Sequence, residues 1–215
     1  MILGLLPARG GSKGVPRKNV KLIQGHPLLA WTIKDALDSR LLDVFTVSTE
    51  DDEIARVAQR YGAKVLTRPA ELAEDDVPSR EVLSHALRIL GGDVAVLLQA
   101  TSPVRRQGLI DRVISYFREN RFDSVATGFW YYNYPPHGVE HRRQDIKKVF
   151  VNDGSVIVST RETVLNGSLF GARAGTLITT REENVDIDED YDFWLADKII
   201  EKGLAEGWLT PPKAV

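Results

Sequence analysis

Residues 3–19 read Leu3-Gly-Leu-Leu-Pro-Ala-Arg-Gly-Gly-Ser-Lys-Gly-Val-Pro-Arg-Lys-Asn19, and this stretch decides the fold. A short apolar run is followed by turn residues rather than by a helical period, which predicts a first β-strand that leads into a loop. Glycine adopts positive φ and has no Cβ, so backbone N–H groups of such a loop can approach an anion closely. Positive charge comes from Arg9, Lys13, Arg17 and Lys18. The loop is predicted to hold a polyphosphate, and the alternative is a solvated basic turn.

Two common nucleotide-binding patterns are absent from this loop. Gly10 and Gly14 are too close together for G-x-x-x-x-G-K-[ST], and no Gly-Lys-Ser/Thr follows them. The dinucleotide pattern G-x-G-x-x-G is excluded because Gly10 and Gly11 are adjacent. The loop is therefore a phosphate-binding candidate outside both patterns.

Composition limits the class of protein. The chain has 215 residues, of which 43% are hydrophobic and 27% charged, as is typical of one soluble globular domain. Its net charge of −2 argues against nucleic acid as a partner. The absence of cysteine excludes disulfides, thiolate catalysis and Cys-ligated metals. No signal peptide or apolar run of transmembrane length is present, so we expect a cytoplasmic location and no membrane partner.

Apolar strand-like runs alternate with helical patterns, which predicts an α/β fold. Continuous apolar runs such as Val94-Ala-Val-Leu-Leu98 indicate strands buried on both faces, as in a mostly parallel sheet flanked by helices. We predict a single doubly wound, Rossmann-type domain over residues 1–215, with ligands beyond the carboxyl ends of its strands. The predicted strands are 2–7, 44–48, 64–67, 94–99, 124–127, 155–159 and 176–179, and the predicted helices are 27–39, 52–61, 79–90, 109–120 and 191–202.

Polar segments follow the ends of four predicted strands, and all four should meet at one edge of the sheet. These segments are 9–19, 49–52, 68–71 and 99–105. Arg68 is placed to face a phosphate or a base carbonyl, with a rim salt bridge to Glu71 as the alternative. Gln99 ends the most buried strand and brings an amide to the ligand edge.

Two aspartates near the end of the chain form a candidate metal site. In an extended segment Asp186 and Asp188 point to the same side, within reach of one cation. Oxygen-only ligation suits Mg²⁺, which normally binds one or two carboxylates together with substrate phosphates. The alternative is an acidic first turn of the helix that begins near Tyr191, stabilised by the helix dipole. Asp186 lies a full turn before that helix, so we favour a metal site.

Regular structure is predicted to stop between Gly128 and Lys148. This segment contains the aromatic run Trp130-Tyr-Tyr-Asn-Tyr134, followed by a Pro-Pro pair that a central strand would exclude. Two interpretations stay open. The segment is either an ordinary surface loop or a flap or association insert, because exposed aromatic clusters are unusual on a monomer.

Taken together, these segments resemble the acylneuraminate cytidylyltransferases, the CMP-sialic acid synthetases. The resemblance covers about residues 2–127 and 143–200, and the first motif paired with Arg-Pro-Ala-Glu-Leu is its most specific part. The motifs are Pro7-Ala-Arg-Gly-Gly-Ser-Lys-Gly-Val-Pro-Arg-Lys-Asn19, Val47-Ser-Thr-Glu-Asp-Asp-Glu-Ile-Ala55, Arg68-Pro-Ala-Glu-Leu72, Gln99-Ala-Thr-Ser-Pro-Val-Arg105 and Asp186-Ile-Asp188.

The resemblance implies a nucleotidyltransferase-like Rossmann fold and roles for individual residues. The catalytic set would be Arg9, Lys18 and Asp188. The substrate-binding set would be Ser12, Lys13 and Asn19 at the phosphates and ribose, Arg68 and Ser79 at the cytosine and ribose, and Gln99, Arg143 and Asp145 at the sugar acid. Mg²⁺ would be the cofactor, held by Asp186 and Asp188. The implied partners are CTP, a sugar acid and a second copy of the chain in a homodimer.

The implied reaction joins CTP to a 2-keto-3-deoxy sugar acid and releases pyrophosphate. Two departures from the family pattern affect the sugar side. The segment before Arg143 is short and aromatic, and Val151 stands where some sialic-acid enzymes have Arg. Three rivals stay open: a guanylyltransferase for a related nonulosonic acid, a nucleotide-sugar-dependent glycosyltransferase, and a nucleotide-sensing module without activity.

Overall fold

A computed structural model describes residues 1–12, 14–133 and 142–215 of the chain, except for the side chain of Arg143. Lys13 and the part of the aromatic segment from Tyr134 onward to residue 141 lie outside the described residues. Within the described ranges, no helix combines the length and apolar character needed to cross a membrane.

Strands and helices alternate through the first half of the chain. The strands are β1 (Ile2–Pro7), β2 (Leu22–Ile23), β3 (His26–Pro27), β4 (Val44–Thr49), β5 (Lys64–Thr67), β6 (Val94–Leu98), β7 (Ser124–Tyr132), β8 (Lys148–Thr160) and β9 (Ala174–Ile178). The helices are α1 (Leu28–Leu37), α2 (Asp52–Arg60), α3 (Ser79–Leu90), α4 (Leu109–Glu119), α5 (Arg161–Leu165) and α6 (Asp190–Ala205). Short 3₁₀ turns lie at Lys18–Val20, Ala70–Ala73, Arg143–Asp145 and Arg181–Glu183.

Within the described residues, one seven-stranded sheet has the order β5-β4-β1-β6-β8-β7-β9, and β2 pairs with β3 in a separate hairpin. The pairings β1–β4, β1–β6, β4–β5 and β7–β9 are parallel. In the described part of this sheet, β8 alone runs antiparallel, to its neighbours β6 and β7. The predicted α/β class and the mostly parallel sheet are confirmed.

Both faces of the sheet are covered, as the apolar strands predict. In β1 the neighbours Leu5 and Leu6 point to opposite faces because successive side chains of a strand alternate. Leu6 packs in a cluster with Ile33 of α1, whereas Leu5 packs in a second cluster with Leu83 of α3. A third cluster joins Val15 of the glycine-rich loop to residues of α6. The buried side chain of Val15 thus anchors the loop to α6.

The predicted loss of regular structure at Gly128 is wrong. Strand β7 continues to Tyr132, paired with β8 as far as Lys148. The ladder changes register between Ala126 and Gly128, and a Cβ on Gly128 would lie 2.0 Å from the carbonyl oxygen of Val151. Aromatic residues favour strands, so the pairing continues through Trp130 and Tyr131. At the bulge, glycine allows the two strands to approach each other this closely because it has no Cβ.

Candidate active site

A cleft of about 420 Å³ opens beyond the carboxyl ends of β1 and β6. The polar segments that follow these strands meet here with the segment before α6, as the strand-end rule predicts. The predicted site residues that line the cleft are Arg9, Ser12, Lys18, Asn19, Ser79, Gln99, Asp186 and Asp188. The structure therefore brings together eight residues that are widely separated in sequence.

A second pocket of about 230 Å³ continues from the cleft and contains Arg68. Pro7, Arg9 and Ser79 line both cavities, so the two form one elongated surface. An elongated surface with Lys18 and two aspartates at one end and a separate pocket at the other suits a nucleotide, whose triphosphate and base need different surroundings.

Hydrogen bonds fix the glycine-rich loop against the end of β4. The backbone N–H of Gly10 donates to Glu50 Oε1 at 2.7 Å. The other oxygen of Glu50 accepts from Arg68 Nε at 3.0 Å, so one carboxylate ties the loop to the second pocket. The side-chain amide of Asn19 donates to the carbonyl oxygen of Arg9 at 2.9 Å. These bonds argue against a freely solvated basic turn.

Arg9 faces a counter-ion across the second pocket. Its guanidinium nitrogen Nη1 lies 2.5 Å from Asp75 Oδ1, in the chain between the Ala70–Ala73 turn and α3. Both side chains keep partial exposure. A salt bridge at a partly exposed site contributes little stability, so an incoming anion can compete for Arg9 at low cost.

Lys18 reaches across the cleft to the opposite wall. Its ammonium group donates to the carbonyl oxygen of Ile187 and lies 3.9 Å from Asp188 Oδ1. Burial lowers the pKa of the Lys18 ammonium, although the negative charges of Asp188 and Asp186 act to raise it. A bound triphosphate would favour the charged form of Lys18 further, because a second set of negative charges would lie beside it.

Both aspartates of the predicted metal site are exposed residues, and the charge of one acts on the other. Burial raises the pKa of the Asp186 carboxyl, with Thr101 acting against this by a hydrogen bond and Asp188 acting with it by its charge. The side chain of Asp188 is 84% exposed. A cation between them would remove the repulsion that Asp188 imposes on Asp186.

A capping box formed by Glu189 and Asp192 begins helix α6. Asp192 Oδ2 accepts the backbone N–H groups of Asp188 and Glu189, each at 3.0 Å. Helix capping is thus the task of Glu189 and Asp192, and the side chains of Asp186 and Asp188 are left to the cleft. No group of three or more His, Cys, Asp or Glu residues in the described ranges could hold a metal without substrate. Two carboxylates are the usual protein share of a Mg²⁺ site completed by substrate phosphates.

Gly14 brings the glycine-rich loop against the chain before α6. A Cβ at this position would lie 1.9 Å from the carbonyl oxygen of Asp188. The residue before Asp188 is also fixed by a backbone hydrogen bond. The N–H of Ile187 donates to the carbonyl oxygen of Thr101 at 2.8 Å. The cleft is therefore walled by three segments in backbone contact.

Gln99 is supported from behind by a buried arginine. Arg105 is 1% exposed and donates from Nη2 to the carbonyl oxygen of Gln99 at 2.7 Å. It also donates to the Thr32 hydroxyl at 2.8 Å and twice to the carbonyl oxygen of Ser155. A Cβ on Gly154 would lie 2.5 Å from Gln99 Oε1, so glycine leaves room for this amide.

Some predicted site residues are not brought into the cleft. Asp145 is exposed in the Arg143–Asp145 turn and does not line either cavity. The side chain of Arg143, like Lys13, lies outside what is described. The sequence alone gives no role to Glu50, Asp75 or Arg105, although Glu50 and Arg105 lie in strand-end segments predicted to meet at one edge of the sheet.

Comparisons with known proteins show the family to which the chain belongs. A sequence profile of the family described as Cytidylyltransferase matches residues 3–194. N-acylneuraminate cytidylyltransferase A of Danio rerio is 32% identical over 92% of the chain, and pseudaminic acid cytidylyltransferase of Campylobacter jejuni strain 81-176 is 30% identical over 93%. The chain spans 50% of the first relative and 96% of the second. The family expected from the motifs is confirmed.

A solved structure shows the same fold. CMP:2-keto-3-deoxy-manno-octonic acid synthetase complexed with CTP aligns with a TM-score of 0.74 over 94% of this chain and 98% of its own, at 14% identity. At that identity the likeness concerns the fold alone.

Proposed function

Because the chain belongs to the cytidylyltransferase family, we propose that it transfers CMP from CTP to a 2-keto-3-deoxy sugar acid, a sialic acid or related nonulosonic acid, and releases pyrophosphate. The observation that carries this proposal is the cleft where Arg9 and Lys18 face Asp186 and Asp188. Cations and carboxylates around one cavity suit a triphosphate bound with a divalent cation. The related C. jejuni enzyme, named for pseudaminic acid, supports a sugar acid as the acceptor.

In this reaction the anomeric hydroxyl of the sugar attacks the α-phosphorus of CTP, a new P–O bond forms, and the bond to pyrophosphate breaks. The hydroxyl proton leaves to solvent or to a base. No covalent bond to the protein is needed, so the residues act by positioning and by offsetting charge. Arg9 and Lys18 would neutralise the triphosphate, and Ser12 and Asn19 would hydrogen-bond to the phosphates and ribose.

The second pocket would take the base. Arg68 lies there with its guanidinium oriented by Glu50, and Ser79 stands between the two cavities. Gln99 would face the sugar acid from the end of β6, oriented by the backbone that Arg105 holds. Arg143 and Asp145 stay predictions for the sugar side.

Asp186 and Asp188 would hold Mg²⁺ together with the phosphates. The bound ion would supply charge neutralisation on the phosphate oxygens and lower the pKa of a coordinated hydroxyl. A homodimer and a cytoplasmic location are further parts of the proposal. The exposed Trp130 and Tyr131 on the β7–β8 ribbon support an association surface.

One assay tests the proposal directly. Pyrophosphate release is measured with CTP, GTP, UTP and ATP, each against a panel of sugar acids. We expect release only with CTP and a 2-keto-3-deoxy sugar acid. Preference for GTP would favour a guanylyltransferase. Cleavage of a nucleotide-sugar without pyrophosphate release would favour a glycosyltransferase, and binding without turnover would favour a sensing module.

Variants of the loop connect the activity to the cleft. Arg9→Ala and Lys18→Ala should each lower kcat/KM for CTP by at least about tenfold, because each removes a charge-assisted contact to the triphosphate. Calorimetric titration gives CTP affinity separately from turnover. Unchanged affinity and turnover in both variants would contradict the assignment of the loop.

A further inference from the structure

Arg17 differs from Arg9 and Lys18, the other described cations of the glycine-rich loop, because its side chain points away from the cleft lining. It is absent from the residues that line the cleft and the second pocket. Its guanidinium instead makes a two-pronged contact with Asp51, from Nη1 to Oδ2 at 2.6 Å and from Nη2 to Oδ1 at 3.0 Å. Nη2 also donates to Glu53. We name Arg17 and Asp51 together the loop clamp.

Asp51 is fixed independently of Arg17. Its Oδ1 accepts the N–H groups of Glu53 at 3.0 Å and Ile54 at 2.9 Å, as the N-cap of helix α2. The hydrogen bonds from Arg17 hold the pKa of the Asp51 carboxyl at about 2. A bidentate arginine–carboxylate contact is the surface ion pair with the best-defined geometry. The clamp therefore joins the loop to a rigid helix end.

The glycine-rich loop also approaches Asp51 through its backbone. A Cβ on Gly10 would lie 2.5 Å from Asp51 Oδ2. Arg17 Nη1 is 3.4 Å from the carbonyl oxygen of Gly10. One carboxylate thus contacts the loop at its start and at its end.

The backbone of Arg17 has a conformation that arginine rarely adopts. Its φ is 55° and ψ 29°, in the left-handed region that disfavours residues with a Cβ. Such a conformation persists where surrounding contacts enforce it. Its carbonyl oxygen accepts the N–H groups of Val20 and Lys21, which closes the turn that carries Lys18 and Asn19. The position of both cleft residues therefore depends on the conformation at Arg17.

We infer that Arg17 is a positioning residue: through Asp51 it holds the turn that aims Lys18 and Asn19 into the cleft, and it does not itself bind the triphosphate. The inference rests on the proposed function for its effect on catalysis. Its effect on the loop in the ligand-free protein does not depend on that function.

The central variant is Arg17→Gly, because glycine keeps the left-handed backbone and removes only the side chain. Asp51→Asn removes the charge from the other side and retains a good N-cap. Arg121→Gly is the matched control, since Arg121 has φ 52° in an exposed turn far along the chain from the loop. Glu53→Gln removes only the charge of the outer contact.

We expect Arg17→Gly and Asp51→Asn each to raise KM and Kd for CTP about fivefold or more, with sugar KM within twofold. In the double variant, KM and Kd for CTP should lie within about twofold of the values of the more severely affected single variant. This is because both substitutions break the same contact. Glu53→Gln and Arg121→Gly should stay within twofold of wild type.

Two results would overturn the inference. If Arg17 were a phosphate ligand restrained by Asp51, then Asp51→Asn would release it and CTP would bind more tightly. Unchanged CTP affinity in Arg17→Gly would also exclude a positioning role.

Hydrogen exchange separates this inference from the proposed function. In the ligand-free protein, amides of residues 14–21 should exchange faster in Arg17→Gly and Asp51→Asn than in wild type and Arg121→Gly. Unchanged exchange contradicts the clamp even if the substrates prove to be different. Faster exchange in a protein that neither binds nor uses CTP would instead contradict the proposed function alone.

Discussion

The contact between Gly14 and the carbonyl oxygen of Asp188 allows a sharp test of the cleft. Gly14→Ala would introduce a Cβ 1.9 Å from that oxygen, whereas such atoms ordinarily stay more than 3.0 Å apart. One of the two segments must therefore move by about 1 Å or more. Lys18 lies on one side of this contact and Asp188 on the other, so their separation of 3.9 Å should change.

The size of the effect follows from that displacement. A shift of about 1 Å in positioned groups lowers rates by roughly a hundredfold, and we expect a loss of that order in kcat/KM for CTP. Crowding of a packed contact costs about 1–3 kcal/mol, which corresponds to a fall of roughly 2–12 °C in Tm for a chain of this size.

The measurement combines pyrophosphate release with thermal unfolding of the same protein. Gly11→Ala is the matched control for stability, because a Cβ there would meet nothing within 4 Å. Its Tm should stay within about two degrees of wild type. If Gly14→Ala keeps both its Tm and a kcat/KM within threefold of wild type, the close approach of the two segments is wrong, and with it the geometry of the cleft.

Three further predictions address other parts of the chain. Asp188→Asn should lower kcat about a hundredfold with Tm nearly unchanged, whereas Asp192→Ala should lower stability by about 0.5–2 kcal/mol as a lost cap, and a reversed pattern would contradict the metal site. Burial raises the pKa of Asp35 to about 6 despite the positive charges nearby, so the native state binds its proton more tightly than the unfolded state. The unfolding free energy of wild type should therefore fall by up to about 3 kcal/mol relative to Asp35→Asn as pH rises from 4 to 7, and a pH-independent difference in chemical denaturation would refute this. Replacing Trp130 and Tyr131 by Ser should lower the molecular mass measured by light scattering or raise the KM for the sugar. If both values are unchanged, the β7–β8 ribbon is an ordinary surface segment and not a contact surface.

Much of the sheet was predictable because its strands are buried on both faces. The apolar runs of β1 and β6 need no partner to be recognised, and the rule on strand ends then placed Arg9 and Gln99 at one edge. The direction of β8 was not predictable, because an apolar run such as residues 155–159 is compatible with either orientation. The extension of β7 is not predictable from the pattern, because the Pro-Pro pair after Tyr134 excludes a central strand without showing where the strand before it ends.

The individual contacts of the site could be predicted less well. Charge and spacing place Arg17 among the phosphate-binding cations, because they do not show where a long side chain points. Its pairing with Asp51 needs the folded arrangement of β4 beside β1. Composition does not distinguish between the two alternatives for the acidic segment. The hydrogen bonds of the folded chain, such as the one from the N–H of Asp188 to Asp192, are needed to show which carboxylate caps α6.

The contact of Lys18 with Ile187 joins residues 169 positions apart and has a consequence for folding. Closing so long a span of chain is entropically unfavourable until the intervening sheet has formed, so this wall of the cleft should be among the last parts to assemble. A partly folded chain would then carry the basic loop without its acidic counterpart. A nucleotide that binds across both walls would stabilise only the completed fold, and its binding would draw the equilibrium away from such intermediates.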